Sequence, residues 1–274
     1  MSTSLQDFTD TLVLVGAGKM GGAMLDGWLA LGLDPAKVAI LEPNPAPEIA
    51  ALKDRGVRIN PAAASITDAA VMILAVKPQV AAAVVPPLKV LAWPGTVAVS
   101  VMAGKTLGFL EGALGDIAIV RSIPNTPAAI GRGITVAVPN AKVTAAQRTL
   151  AHTLLSGVGA VEWVDDEALI DTATAVSGSG PAYVFLLAES LARAGAAAGL
   201  PADLAARLAR ATVAGSGELL HRSPLEAATL RQNVTSPNGT TAAALAILMA
   251  ADGLDPMLEK AVAAATKRSR ELAD

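Results

Sequence analysis

The sequence predicts an α/β chain in two parts: an N-terminal parallel sheet with helices on both faces, then an all-helical domain. Three observations carry this. From Leu12 to about Val138, short continuous apolar runs alternate with helical stretches, as in strands buried on both faces and joined by crossovers. After Asp165 strand-like runs cease and helical periodicity with caps takes over. The 274 residues exceed the roughly 100–200 of one ordinary domain. The domains are placed at 1–164 and 165–274.

In chain order, strands are expected at Leu12–Val15, Val38–Leu41, Val71–Val76, Thr96–Val101 and Ala118–Ile123. Helices are expected at Lys19–Leu31, stopped by Gly32, at Pro47–Arg55, stopped by Gly56, and at Gln79–Leu91. Ile134–Val138, a helix over Ala145–Leu155, and Ala160–Val164 read as a less regular addition to the sheet. In the second domain Tyr183–Ala198 ends at Gly199. Pro201 and Asp203 suit the start of the next helix, and Asp255-Pro256 reads as an N-cap followed by proline at the first helical position. Small Ala and Gly side chains bury little area per helix, so this domain is expected to gain stability by pairing with a second copy.

Composition excludes several classes. Hydrophobic residues make up 53% and charged residues 16%, which argues against long disordered arms. A net charge of −3 offers no broad cationic surface for nucleic acid. There is no cysteine, which removes disulfides, thiolate metal sites and cysteine nucleophiles, and no metal is expected. The mean hydropathy of +0.50 raises the question of a membrane span, but Lys77-Pro78, Trp93-Pro94-Gly95 and the Ser177–Pro181 segment break every apolar run. The polar, acidic MSTSLQDFTD lacks a signal-peptide pattern, so a soluble cytoplasmic protein is expected.

Gly16-Ala17-Gly18-Lys19-Met20-Gly21 fits G-x-G-x-x-G, follows the strand ending at Val15 and opens a helix. Gly16 permits the tight turn, Gly18 lets a pyrophosphate approach the helix N-terminus, and Gly21 lets helix and strand pack closely. This is the Rossmann-type dinucleotide fingerprint. The second strand runs into Glu42, at about the distance where an acidic residue takes the adenine-ribose hydroxyls, and no arginine follows in Pro43–Glu48. Tolerance of NADH is therefore expected; the competing reading is a Glu42 that faces solvent in a proline-rich loop.

Ligands of open parallel sheets sit beyond the carboxyl ends of the strands. Three loops there are singled out: Ala75-Val76-Lys77-Pro78, Ser100–Gly104 with its Val101, Met102 and Ala103, and Ile123–Pro127. In the second domain, Asn233–Thr241 is a polar segment leading into the Ala242–Met249 helix. Its hydroxyls and unpaired amides would bind a carboxylate well. The two histidines, His152 and His221, sit in helical segments away from these loops. A hydride-donor site without a strong proton donor favours an imine over a carbonyl, because a protonated C=N bond already attracts hydride.

Together these motifs resemble the pyrroline-5-carboxylate reductase family over nearly the whole chain. The resemblance rests on the Gly16–Gly21 fingerprint, Ala75–Pro78, Met102–Gly104, Pro124–Pro127, Ser177–Tyr183 and above all Val234–Thr241. It implies reduction of the cyclic imine pyrroline-5-carboxylate to L-proline with NADPH or NADH, the last step of proline biosynthesis, and a helical domain that forms a homodimer or a ring of dimers such as a homodecamer. It implies that Thr241 hydrogen-bonds the ring nitrogen and relays the proton. Ser236 and the backbone around Asn238, Gly239 and Thr240 would hold the carboxylate, and Asn233 would lie near the nicotinamide ribose. Ala75–Pro78 and Val101–Ala103 would touch the cofactor mainly through backbone, with Asn125 also on the cofactor side. Asn238 departs from the family by standing where a second glycine is usual; its side chain would either narrow the pocket or demand an altered backbone angle, which Asn tolerates better than most residues. Ser223–Thr229 replaces the family's usual His-Pro approach to the motif.

The nearest rival is the β-hydroxyacid dehydrogenase type, which carries a lysine shortly after the Gly-rich turn that opens its helical domain. Here Ser177–Pro181 continues as Ala-Tyr-Val-Phe-Leu-Leu. A non-catalytic nucleotide sensor would keep the glycines but would need neither Ser236 nor Thr241.

Overall fold

A computed structural model describes residues 4–67 and 69–272. Asp68 and residues 1–3 of the acidic N-terminal segment lie outside the described residues. By its internal packing the chain divides into two units, one running to Gly178 and including the residues from Thr266 onward, the other spanning Ser179–Ala265. The composition changes at 164, whereas packing divides the chain at 178. The reason is that Ile170, just past the compositional change, is buried with Ile123 and Val138 of the sheet.

The first unit is built on β1 (Thr11–Val15), β2 (Val38–Leu41), β3 (Arg58–Ile59), β4 (Ala69–Leu74), β5 (Val97–Ser100), β6 (Ala118–Ile123), β7 (Gly133–Pro139) and β8 (Gly159–Trp163). They form one sheet in the order β3-β2-β1-β4-β5-β6-β7-β8. Every pair is parallel except β6 and β7. Residues 124–132 are too few for a crossover, so β7 turns back antiparallel with Ile123 opposite Val136.

Because strand side chains alternate, each strand feeds two cores. Leu12, Leu14, Val38, Ile40, Val71 and Ile73 pack on one face with Met24, Leu25 and Trp28 of α1 (Lys19–Ala30). Val13, Val15, Met72 and Leu74 pack on the other with Ala81, Val85, Leu88 and Leu110. Burying a Leu or Ile fully is worth about 1.5–3 kcal/mol as an upper bound, so these two layers fix the strand register and with it the loops at the strand ends. Trp28 also donates its indole N–H to the Leu154 carbonyl at 2.7 Å, satisfying its polar edge inside the core.

Four local expectations change. Residues 47–55 are helical, but only α2 (Pro47–Ala50) is α-helix; the rest is a 3₁₀ turn. The helix expected at 79–91 is broken into a 3₁₀ turn at Pro78–Val80, α3 (Ala81–Val84) and a second 3₁₀ stretch from Pro86, because Pro86-Pro87 cannot continue an α-helical ladder. Asp255 is not an N-cap: it lies inside the first turn of the last helix, which starts at Leu254, so its carboxylate meets the helix dipole from within that turn. The helix α4 (Leu107–Leu114), capped by the Thr106 side chain on Phe109 N–H, is additional to the expected elements. Beyond it come α5 (Ala145–Ser156), with a Thr144/Gln147 capping box, and α6 (Leu169–Ala173), which runs into a π-helical turn at Thr174–Gly178.

The second unit consists of α7 (Gly180–Ala197), α8 (Ala202–Arg222), α9 (Ala227–Asn233), α10 (Thr240–Leu248) and the first part of α11 (Leu254–Leu272). α7 and α8 approach closely at Gly195, where an added Cβ would lie 3.4 Å from Ala205 Cβ. Near the start of α8 the Arg207 guanidinium, 2.8 Å from Asp203, holds that carboxyl below its ordinary range. Among the described residues, Ala205 and Ala209 are the buried hydrophobic ones of this unit, while Phe185, Leu187, Leu219 and Ile247 are all more than half exposed. Exposed apolar surface of this extent marks an interaction surface. No described helix is long and apolar enough to cross a membrane.

Candidate active site

In the first unit the candidate cofactor residues gather where the strand order reverses, at the ends of β1 and β4. The Ala75 N–H donates to the Val15 carbonyl at 2.8 Å, the Gly16 N–H to the Leu41 carbonyl at 2.9 Å and the Val101 N–H to the Leu74 carbonyl at 3.0 Å. These backbone bonds place the loops after β1, β2, β4 and β5 side by side. Gly16 adopts φ +88° and is wedged against the Ala75–Val76 peptide. Gly21 is packed on the Gly16 carbonyl. Gly18 differs, since a Cβ built there would meet nothing within 4 Å. Two glycines are thus used for packing, and the middle one leaves open space at the start of α1.

That helix start suits an anion. Gly18 is the N-cap and supplies no side chain, no acidic residue sits in the first turn, and Lys19 is exposed. The free N–H groups and the helix dipole both favour a pyrophosphate there. Met20 packs partly on the core beneath.

Glu42 is oriented rather than loose. Its Oε2 accepts from the Ala17 N–H and its Oε1 from the Asn44 N–H, both at 3.1 Å. The carboxylate therefore sits beside the glycine loop, not out in solvent. Val101 and Met102 are buried in the two opposite cores, which leaves their backbone and the exposed Ala103 at the rim. Val76 is half-buried, Pro78 begins a 3₁₀ turn, and Lys77 is exposed. Asn125 spends its side chain inside the protein. Its Oδ1 accepts from the Ile134 N–H at 3.0 Å and its Nδ2 donates to the Ser177 carbonyl at 3.1 Å, tying the β6–β7 loop to the π-helical turn.

In the second unit Ser236, Asn238, Gly239, Thr240 and Thr241 form the turn that opens α10, shortly after the end of α9 at Asn233. The Gly239 N–H donates to the Ser236 carbonyl at 3.0 Å, closing the turn. Asn238 has φ +59°, in the left-handed region, which is the altered backbone angle of the two alternatives. Gly239 is the N-cap and no side chain caps α10. The first intrahelical bond is from the Ala243 N–H to the Gly239 carbonyl, so the amides of Thr240, Thr241 and Ala242 point out of the helix start. The Ser236 hydroxyl is exposed beside them and Thr241 is half-buried.

Away from both sets, His152 accepts a hydrogen bond from the Trp163 indole at 3.2 Å, a packing role. Sequence reading missed Asn60, whose side-chain amide brackets the Glu42 peptide. A contact across 18 positions leaves no local signal, although Asn before Pro61 marks a turn.

A doubly wound sheet with this glycine loop, joined to a helical unit with an uncapped, hydroxyl-flanked helix start, defines an NAD(P)-dependent oxidoreductase of the two-domain type. Residues 11–104 match the family described as NADP oxidoreductase, coenzyme F420-dependent, and residues 167–272 match that described as pyrroline-5-carboxylate reductase dimerisation. Pyrroline-5-carboxylate reductase of Pseudomonas aeruginosa is 40% identical over 268 residues, covering 97% of this chain and 98% of that one. The solved enzyme of Coxiella burnetii superposes with a TM-score of 0.90 at 33% identity, over 97% of this chain and 99% of the other. The Plasmodium falciparum enzyme, solved with NADP bound, gives 0.79 at 27% identity, over 97% and 99%. The chain belongs to the pyrroline-5-carboxylate reductase family.

Proposed function

We propose that the chain reduces the C=N bond of 1-pyrroline-5-carboxylate to L-proline, with the cofactor held by residues of the first unit and the substrate by residues of the second. When bound, NAD(P)H supplies the hydride. In the first unit the amides at the start of α1 take the pyrophosphate, with Gly18 left bare so that it can approach. Val15–Gly21, Ala75–Pro78 and Val101–Ala103 line the cofactor path through backbone, and Asn125 shapes that rim by fixing the loop behind it. In the second unit Ser236 and the outward amides of Thr240 and Thr241 hold the substrate carboxylate, while the Gly239 amide is spent on the Ser236 carbonyl and Asn238 gives the turn its shape. Asn233 is assigned to the nicotinamide ribose.

Thr241 hydrogen-bonds the ring nitrogen and relays a proton to it from water, so that the imine is reduced as the iminium. The carbon of the imine gains hydride, the nitrogen gains the proton, and the C=N bond becomes C–N. Orientation of the two reactants supplies most of the rate, since no strong acid is needed at an iminium. Glu42 supports tolerance of NADH beside NADPH, because its held carboxylate offers acceptors to ribose hydroxyls.

The observation that carries this reading is the uncapped start of α10 flanked by Ser236 and Thr241, a ready site for a small carboxylate. The working form is a dimer or a ring of dimers, supported by the apolar surface of the second unit, and the cytoplasm, where NAD(P)H is regenerated, is the proposed compartment. Cofactor oxidation with the cyclic imine, beside a hydroxyacid control, tests the function. Turnover of the imine alone supports it, and turnover of the hydroxyacid alone contradicts it.

A further inference from the structure

We propose that Asn60 is a positioning residue that sets the preference between NADH and NADPH by fixing the peptide of Glu42; this rests on the reading that Glu42 meets the adenine ribose. β3 pairs with β2 through two positions, Ala39 with Arg58 and Ile40 with Ile59. Asn60 adds one more ladder bond, from its N–H to the Ile40 carbonyl at 2.7 Å. The backbone then turns away at φ +48°. From there the side chain does what a longer strand would have done. Its Oδ1 accepts from the Glu42 N–H at 2.9 Å and its Nδ2 donates to the Glu42 carbonyl at 2.8 Å.

This pair matters because the chain beyond Glu42 has little regular structure to hold it. Residues 42–46 form no helix or strand, and prolines at 43 and 45 remove two donors that would otherwise anchor the segment. The Glu42 carboxylate is held by the Ala17 and Asn44 amides, one on each oxygen. Each oxygen keeps a lone pair for a ribose hydroxyl. With both its peptide and its carboxylate fixed, Glu42 keeps a charge at one place on the lip of the cofactor site. Without the Asn60 amide the peptide is free to shift, and the carboxylate no longer opposes a 2′-phosphate from a fixed position. Asn60 itself is exposed and acts through Glu42.

The test compares kcat and KM for NADH and NADPH in the wild type, Asn60→Gly, Asn60→Asp and Glu42→Ala. Glycine keeps the left-handed backbone and removes only the amide. Asn60→Gly is expected to raise the NADH KM about fivefold to tenfold and to lower the NADH-to-NADPH ratio of kcat/KM at least fivefold, with kcat within twofold of wild type. Asn60→Asp, which keeps the acceptor and loses the donor, is expected to shift the ratio less. Direct titration of NADH binding by fluorescence gives the same comparison independently of turnover. If Glu42→Ala shifts the ratio and Asn60→Gly does not, the role of Asn60 is overturned while the Glu42 reading stands. If neither variant shifts it, the Glu42 reading fails and takes this proposal with it.

Discussion

Gly16 is pressed against Ala75, so that a Cβ at Gly16 would lie 2.8 Å from both the carbonyl carbon and the carbonyl oxygen of Ala75. The contact locks the loop after β1 to the loop after β4, the two loops that flank the point where the strand order reverses. A left-handed backbone at +88° and the absence of space both demand glycine there.

Gly16→Ala and Gly18→Ala should therefore behave differently. Gly16→Ala costs about 1–2 kcal/mol from its backbone angle alone, and the clash with Ala75 adds to it, so thermal unfolding should drop by several degrees along with cofactor affinity. Gly18 has φ −72° and open space around it, so Gly18→Ala should leave the melting temperature nearly unchanged yet weaken NADH binding roughly tenfold. Differential scanning fluorimetry with and without NADH separates the two.

Ser236 and Thr241 are assigned to binding and to chemistry, and their kinetics should divide accordingly. Losing one hydrogen bond to a charged carboxylate costs about 1.5–3 kcal/mol, so Ser236→Ala should raise the substrate KM on the order of tenfold to a hundredfold. Thr241→Ala should lower kcat about a hundredfold with little change in the cofactor KM. Steady-state kinetics varying each reactant in turn checks both, and wild-type values for both parameters in Thr241→Ala would remove the proton-relay role.

Asn238 at φ +59° predicts an asymmetric response. Asn238→Gly should keep activity and leave stability within about 1 kcal/mol, since glycine reaches that angle freely. Asn238→Val should cost more than about 1–2 kcal/mol and disturb the carboxylate site, because a β-branched residue is least suited to it. Chemical denaturation of the two variants, with activity measured alongside, gives the comparison.

The exposed apolar surface of the second unit predicts self-association that one charge can break. Phe185 on α7 is 63% exposed. On a solvated face Phe185→Glu would alter stability by less than about 0.5 kcal/mol, whereas at a subunit contact it forfeits about 3 kcal/mol of burial per copy. Molar mass by light scattering should fall toward that of one chain in Phe185→Glu at low micromolar concentration.

Much of this arrangement is legible in the residues themselves. The strands Val38–Leu41 and Ala118–Ile123 fall on the expected bounds, the first as a continuous apolar run and the second as a fully buried strand although Arg121 and Ser122 interrupt its apolar residues. The glycine fingerprint lies between a strand and a helix as its spacing requires. The helix α4 is hard to read because Gly108 and Gly112 weaken its helical signal, although Thr106 is a readable cap. The two-residue β3 is too short to show a period. The bracket of Asn60 on Glu42 and the tie from Asn125 to Ser177 join residues 18 and 52 positions apart, and such pairings arise only from the folded sheet.

The most direct test is a crystal structure of the ternary complex with NAD(P)⁺ and L-proline. The pyrophosphate is expected at the amides of Gly18 to Met20, and the proline carboxylate within hydrogen-bond reach of Ser236 and the Thr240 and Thr241 amides, with the ring nitrogen at the Thr241 hydroxyl. A carboxylate bound away from residues 236–241 would contradict it.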